Sequence, residues 1–173
     1  MTIAMQPIYT QILTGGAGSA VFNNIPQTFT DLKIVVTQRN GSSNVAENLA
    51  FRFDSGSSIY SNTVIYGSGT GTASSRSSNQ PFISYTAGMF INGGTSTANT
   101  FASYEVYVPN YTSNQFKQFT IDSVTENNAA EAYSSLSAGL YRSTLPIQTL
   151  YVQGYSAVMS NNSTITIYGI TKG

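Results

Sequence analysis

Along most of this chain the hydrophobic residues recur at every second position, and that period restricts it to β-structure. Ile8, Thr10, Ile12 and Thr14 alternate with Tyr9, Gln11 and Leu13. Leu32, Ile34 and Val36 follow a turn at Pro26–Thr30. Leu49, Phe51 and Phe53 share one face, with Ala50, Arg52 and Asp54 on the other. Ala102, Tyr104, Val106 and Val108 run up to Pro109. Phe119 and Ile121, then Leu136, Ala138 and Leu140, continue the pattern. Ile147, Thr149 and Tyr151 alternate with Leu150 and Val152, and Ile165, Ile167 and Gly169 with Thr166, Tyr168 and Ile170. Successive side chains of a strand point to opposite faces, so this alternation marks half-buried strands. Val, Ile, Thr, Tyr and Phe are the residue types that fit a pleated surface.

Turn residues separate these runs at short intervals: Gly15–Gly16, Asn23–Asn24, Asn40–Gly41, Asp54–Gly56, Gly93–Gly94, Asn110–Asn114, Asn127–Asn128 and Asn161–Asn162. The spacing predicts one all-β domain over residues 1–173, a jelly-roll-like β-sandwich of eight to ten strands. A chain of this length buries enough surface to hold a core without staples. Asn128–Tyr133 is the one helical candidate, a single turn. Residues 67–80, GSGTGTASSRSSNQ, read as a low-complexity loop, and residues 1–9 as an extended N-terminal arm. Both are candidates for ordering on a partner.

The side-chain chemistry is quiet. Charged residues make up 8% of the chain, seven basic and seven acidic, with no His and no Cys; an average domain is roughly 25% charged. Without His the Ser–His–acid triad cannot be built, and no G-x-S-x-G occurs. Lys33, Lys117 and Lys172 lie outside any S-x-x-K context. The segment GSGTG departs from G-x-G-x-x-G and precedes no helix. Asp122, Glu126 and Glu131 form the one acidic group close in sequence; they read as solvated loop acids rather than an acid–base pair or a calcium site. No catalytic, metal or cofactor residue is assigned. The scattered cations argue against nucleic acid. No apolar run reaches the length of a membrane span, and the N-terminus lacks the pattern of a signal peptide. Asn110-Tyr111-Thr112 and Asn162-Ser163-Thr164 match a glycosylation acceptor, which has no weight without secretion.

What the chain offers instead is contact surface. About 40% of its residues are Ser, Thr, Asn or Gln, and twelve are Tyr. Tyr joins apolar area to a polar tip at low entropic cost, which suits interfaces. The partner-contact candidates are Tyr9, Tyr60, Tyr66, Arg76, Tyr111, Arg142 and Tyr155. For Arg52 and Arg142 the first reading is structural: an ion pair, or hydrogen bonds to loop carbonyls.

Four blocks resemble a group of small virion-associated proteins of tailed bacteriophages: IPQTFTDLKI (25–34), FRFDSGSSIYS (51–61), GLYRSTLPIQTLYV (139–152) and STITIYGI (163–170). ANTFASYEVYVPNY (98–111) is similar in kind. The group has no motif of catalytic residues to transfer. The resemblance implies a jelly-roll-like domain on a phage particle, in a symmetric oligomer; the local three-fold axes of a capsid make a homotrimer the expected form. The resemblance does not fix the role on the virion; the leading expectation is a capsid decoration (cement) protein that binds the major capsid protein, assembled in the host cytoplasm and displayed on the virion surface. The alternative it leaves open is a receptor- or glycan-binding module of a tail fibre or spike.

Overall fold

The structure, a computed structural model, describes residues 4–84, 87–128, 131–155 and 157–171. Here the alternation resolves into twelve strands: β1 (Ala4–Ile12), β2 (Ser19–Phe22), β3 (Asp31–Gln38), β4 (Ala46–Phe53), β5 (Tyr60–Gly67), β6 (Thr72–Gln80), β7 (Phe90–Asn92), β8 (Ala102–Val108), β9 (Lys117–Val124), β10 (Ser134–Tyr141), β11 (Leu150–Gly154) and β12 (Thr164–Thr171). They form two antiparallel sheets, an eight-stranded one in the order β1-β12-β3-β8-β9-β10-β5-β6 and a four-stranded one in the order β2-β11-β4-β7. Both sheets contribute to one hydrophobic cluster, so the chain is all-β and sandwich-like.

The pairing is nested. β1 pairs with β12, β2 with β11, β3 with β8 and β4 with β7, each antiparallel. The chain passes from one sheet to the other between β1 and β2, β2 and β3, and β3 and β4. Two further hairpin arms are inserted into this frame. β5–β6 follows β4 and β9–β10 follows β8, and they pair through β10–β5 to extend the large sheet beyond β8.

Four rings clamp the sheets together where the extension begins. Phe51 and Phe53 of β4 meet Phe119 of β9 at centroid distances of 5.7 and 5.8 Å, and Phe53 meets Tyr141 of β10 at 5.6 Å, all edge-on. Edge-on pairs of this spacing add attraction beyond their buried area. Gly139 of β10 lies opposite Phe119. A Cβ there would stand 2.1 Å from the Phe119 ring. The absent side chain leaves the space that the ring occupies.

Several sequence expectations are corrected. There are twelve strands rather than eight to ten. Residues 72–80 are an edge strand rather than a loop; only the turn around residues 68–71 matches that reading, with Ser68 N–H donating to Gly71 O. β6 is solvated on both faces, so its Ser and Thr residues carry no hydrophobic period to detect. The expected N-terminal arm is docked from Ala4 onward as β1; residues 1–3 lie outside the described residues. No helix occurs at the described flanks of Asn128–Tyr133; residues 129 and 130 lie outside the description.

Gly139→Ala is expected to lower stability by about 1–3 kcal/mol, the range for overpacking a core. The loss should shrink in a Phe119→Leu background, because the clash is with that ring. Urea unfolding of both variants and the double variant checks this coupling.

Candidate functional site

Strand parity builds a second surface opposite the core. On β9 the inward residues Lys117, Phe119, Ile121 and Ser123 are buried, while Gln118, Thr120, Asp122 and Val124 face out. Following the register across the large sheet, one outward row reads Pro7, Tyr168, Lys33, Tyr107, Thr120, Ala138, Thr63 and Arg76. The next reads Thr10, Thr166, Val35, Glu105, Asp122, Leu136, Ile65 and Ser74. This outer face is therefore eight strands wide. Several of its apolar side chains stand in solvent: Ile65 is 59% exposed and Leu136 54%, directly opposite each other on β5 and β10. Met5 and Ile12 do the same at the β1 edge.

The face carries four charges in its two central rows. Lys33 Nζ and a Glu105 carboxylate oxygen lie 2.7 Å apart, the one ion pair among the described residues. Glu105 sits directly across from Asp122, a like-charge pair. Neither Asp122 nor Arg76 has a hydrogen-bond or ionic partner among the described residues. Two shallow depressions mark the extension. One, about 500 Å³, has Thr63, Ala138 and Gly139 among its lining residues and reaches from Arg76 to Tyr107 and Pro109. The other, about 760 Å³, is lined by Ile65, Leu136, Asp122 and Ser134 against Thr72–Ser74 of β6. They exist because Ala138, Gly67, Ser134 and Ser61 are small.

Of the contact candidates, Arg76 alone projects from this face. Tyr60 and Tyr111 are corrected: both are fully buried and have no surface to offer. The Tyr60 hydroxyl accepts the Phe53 N–H at 2.6 Å and donates to Phe53 O at 2.9 Å, and its ring stacks on Tyr141. The Tyr111 hydroxyl donates to Pro26 O. Nearness to a turn in sequence told nothing of the direction in which each ring points. Tyr9 is half-buried, donating to Asn23 O and packing on Phe22. Tyr66 is half-buried, edge-on to the stacked rings of Phe90 and Tyr133. Tyr155 is exposed and edge-on to Phe82, away from the broad face. Arg142 is exposed but engaged, donating to Ser58 O and Asn79 Oδ1, each at 2.6 Å. Arg52 lies over the Tyr151 ring at 4.3 Å, a cation–π contact.

The acidic trio does not form a site. Asp122 stands on the sheet, a Glu126 carboxylate oxygen accepts the N–H groups of Asn127 and Asn128, and the Glu131 carbonyl accepts the Asn127 amide. No group of three or more acidic residues that could hold a metal occurs among the described residues. Lys117 Nζ donates to the carbonyls of Ser113, Ser143 and Leu145, and burial pulls its pKa down. Lys172 lies outside the described residues. Asp31 and Asp54, which composition did not single out, also have structural work. Asp31 accepts the Tyr107 hydroxyl and the Asn110 N–H. Asp54 accepts the N–H groups of Gln148 and Thr149 and the Tyr141 hydroxyl. Ile65, Leu136 and Tyr107 were also missed as surface residues, because alternation reveals two faces without saying which is buried.

No protein-family model matches the chain, and no curated protein matches it either.

The buried phenols give the fold a pH limit. Desolvation raises the pKa of Tyr60, Tyr104, Tyr111 and Tyr133; desolvation, then the neighbouring Asp54 charge, pushes Tyr141 up to about 12. A raised acid pKa favours the neutral folded form, so this stability is whole below the ordinary value of 10 and falls as pH climbs towards 12. Lys117, with its lowered pKa, works in the opposite direction, but one amine faces five phenols. The urea midpoint should therefore drop across that window, with a late set of tyrosines ionising only on unfolding. Phenolate absorbance and urea melts at stepped alkaline pH check it; a flat midpoint contradicts it.

Proposed function

We propose that this chain is a structural protein of a tailed-phage particle, a jelly-roll β-sandwich that decorates the capsid by binding the major capsid protein shell. The nested pairs β1–β12, β2–β11, β3–β8 and β4–β7 support the jelly-roll reading, since two interlocked Greek keys wrap a chain in this way. On this reading β5–β6 and β9–β10 are additions that widen one sheet. The four sequence blocks that resemble virion-associated proteins support the placement on a particle.

The observation that carries the proposal is the outer face: eight strands of hydroxyl, small and apolar side chains, with four charges in its central rows. A face of this kind supplies many weak contacts that repeat with every copy. Elsewhere Lys117, Asp31, Asp54 and Arg142 are engaged in holding loops. At the β1 edge, Met5 and Ile12 give the shell an apolar foothold, and burying two such side chains supplies roughly 3 kcal/mol or more.

A second reading, a glycan-binding module at a tail tip, draws on one feature. The depression between Tyr107 and Arg76 sets hydroxyls of Ser61, Thr63 and Thr120 and the Gln118 amide around an open floor. Those groups match the donors and acceptors of a sugar.

The test mixes purified protein with expanded capsids that lack it and measures co-sedimentation. The decoration reading expects saturable binding, reduced roughly tenfold or more by the double variant Met5→Asp/Ile12→Asp. Binding to host-cell glycans without binding to capsids would replace the first reading by the second.

A further inference from the structure

We infer that two copies of this chain pack face to face through the outer surface of β9, β10, β5 and β6, with Arg76 of each copy paired to Asp122 of the other. The inference does not rest on the particle reading: it assigns the β9–β10–β5–β6 half of the outer face to a second copy and leaves the Met5–Ile12 margin, the foothold tested against capsids, to the shell. It concerns a region where, among the described residues, an exposed apolar pair and two unpartnered opposite charges share a surface.

The register gives the geometry. Asp122 on β9 lies in the row of Leu136 and Ile65, and Arg76 on β6 in the adjacent row, with Ala138 and Thr63. Three strand spacings separate them across the sheet, about 14 Å, and one row along it, about 7 Å. The point midway between them lies over the β10–β5 pair, between the Leu136–Ile65 and Ala138–Thr63 rows. A two-fold axis lying in the interface plane through that point, perpendicular to the line joining the two charges, exchanges their positions. The apolar pair lies beside the same axis, so the operation that makes both ion pairs also sets Leu136 and Ile65 of one copy against those of the other. An interface with a two-fold axis must be self-complementary in this manner.

Charge selects a second copy over other occupants. Lys33 neutralises Glu105 within the chain, so among the described residues of this face Arg76 and Asp122 are left as one free cation and one free anion. A second copy supplies both missing partners at the required positions. The surrounding charge is zero, so no long-range repulsion opposes self-association. The arrangement is two-fold and thus differs from the homotrimer expected from capsid symmetry.

Charge exchange tests it. By sedimentation equilibrium the wild-type chain should show a reversible mass of two copies. Arg76→Glu and Asp122→Lys should each raise the dissociation constant by roughly tenfold or more, since each places like charges together twice. The double variant Arg76→Glu/Asp122→Lys should dimerise again. An equimolar mixture of the two single variants should form heterodimers, because both of its pairs are then opposite in sign. Leu136→Ser should weaken the dimer without touching charge. Thermal melts of Arg76→Glu should match wild type, as Arg76 has no partner among the described residues, and Asp122→Lys should melt no lower than wild type, since it removes a like charge from opposite Glu105. A wild-type chain that stays monomeric at its solubility limit, a mass of three copies, dimers unaffected by both single variants, or loss without rescue in the double variant and the mixture would each overturn the proposal. Capture of a glycan or capsid protein by this face in place of a second copy would do the same.

Discussion

The fold depends on pairing between distant parts of the chain. β12 is hydrogen-bonded to β1 on one side and to β3 on the other, so the last strand lies between two of the first three. Ala4 pairs with Thr171, and each inner pair of the nest closes a shorter loop than the one outside it. The innermost pair, β4–β7, still spans the whole β5–β6 insertion. Such non-local pairing makes the loop-closure entropy a cost met before the contacts that offset it form. The aromatic clamp of Phe51, Phe53, Phe119 and Tyr141 matters because it bridges the frame and the insertion. It ties β4 to β9 and β10, the strands through which the large sheet grows past β8.

That growth has a cost in core, because the four-stranded sheet is too narrow to cover eight strands. Part of the uncovered inner surface is closed by the segment that holds Ala87 and Gly88. The inward side chains there are Ser123, Ser135 and Ser137, all buried, where a sandwich core would have aliphatic residues. Their hydroxyls donate to Gly88 O and Ala87 O at 2.5 to 3.0 Å. The segment approaches so closely that a Cβ on Gly88 would stand within 3 Å of Val64 and Ser135, and its φ of +66° lies in the region that favours glycine. A backbone segment brings carbonyls that need donors, and serine supplies them in little volume. The extension is thus packed by hydrogen bonds where the frame is packed by rings and aliphatic side chains.

This division explains what was legible in the sequence. Strands with one aliphatic face announced themselves by period: β3, β8, β12 and the first half of β9 lie where the alternation put them. β6 did not, because solvent on both faces leaves nothing to alternate. The second half of β9 and the first half of β10 were only partly legible, since Ser123, Ser135 and Ser137 look like surface residues until the Ala87–Gly88 carbonyls are in place. The surface was harder still. Ile65 and Val64 are equally apolar, and parity alone cannot say that Val64 is buried and Ile65 exposed; that follows from Tyr60 and Asn62, which share the Val64 face and are buried with it. Arg76 lay in what read as a loop, and Asp122 in what read as an acidic cluster. Their placement on one face appears only when β9, β10, β5 and β6 are laid side by side, which is tertiary information.

The sheet margins and the sheet face are treated differently, and the difference bears on how this protein makes contacts. An open edge strand invites pairing with another chain unless something blunts it. β1 has Pro7, which lacks a donor, and a register shift between Pro7 and Tyr9. β6 has its own shift where it faces the Tyr60–Asn62 stretch of β5. Asn79 lies on the β6 side of that shift at a φ of +55°, and its side chain is held by Arg142. Both edges are therefore interrupted within a few residues, and addition of a long foreign strand would lose its register at either one. The outer face has no such interruption. Its rows run unbroken from Pro7 to Arg76, and its exposed Leu136 and Ile65 are not broken up by charge. A chain that guards its edges and leaves an eight-stranded face open offers side chains rather than backbone ladders for contact, and the sparse charges on that face are the groups able to select a register.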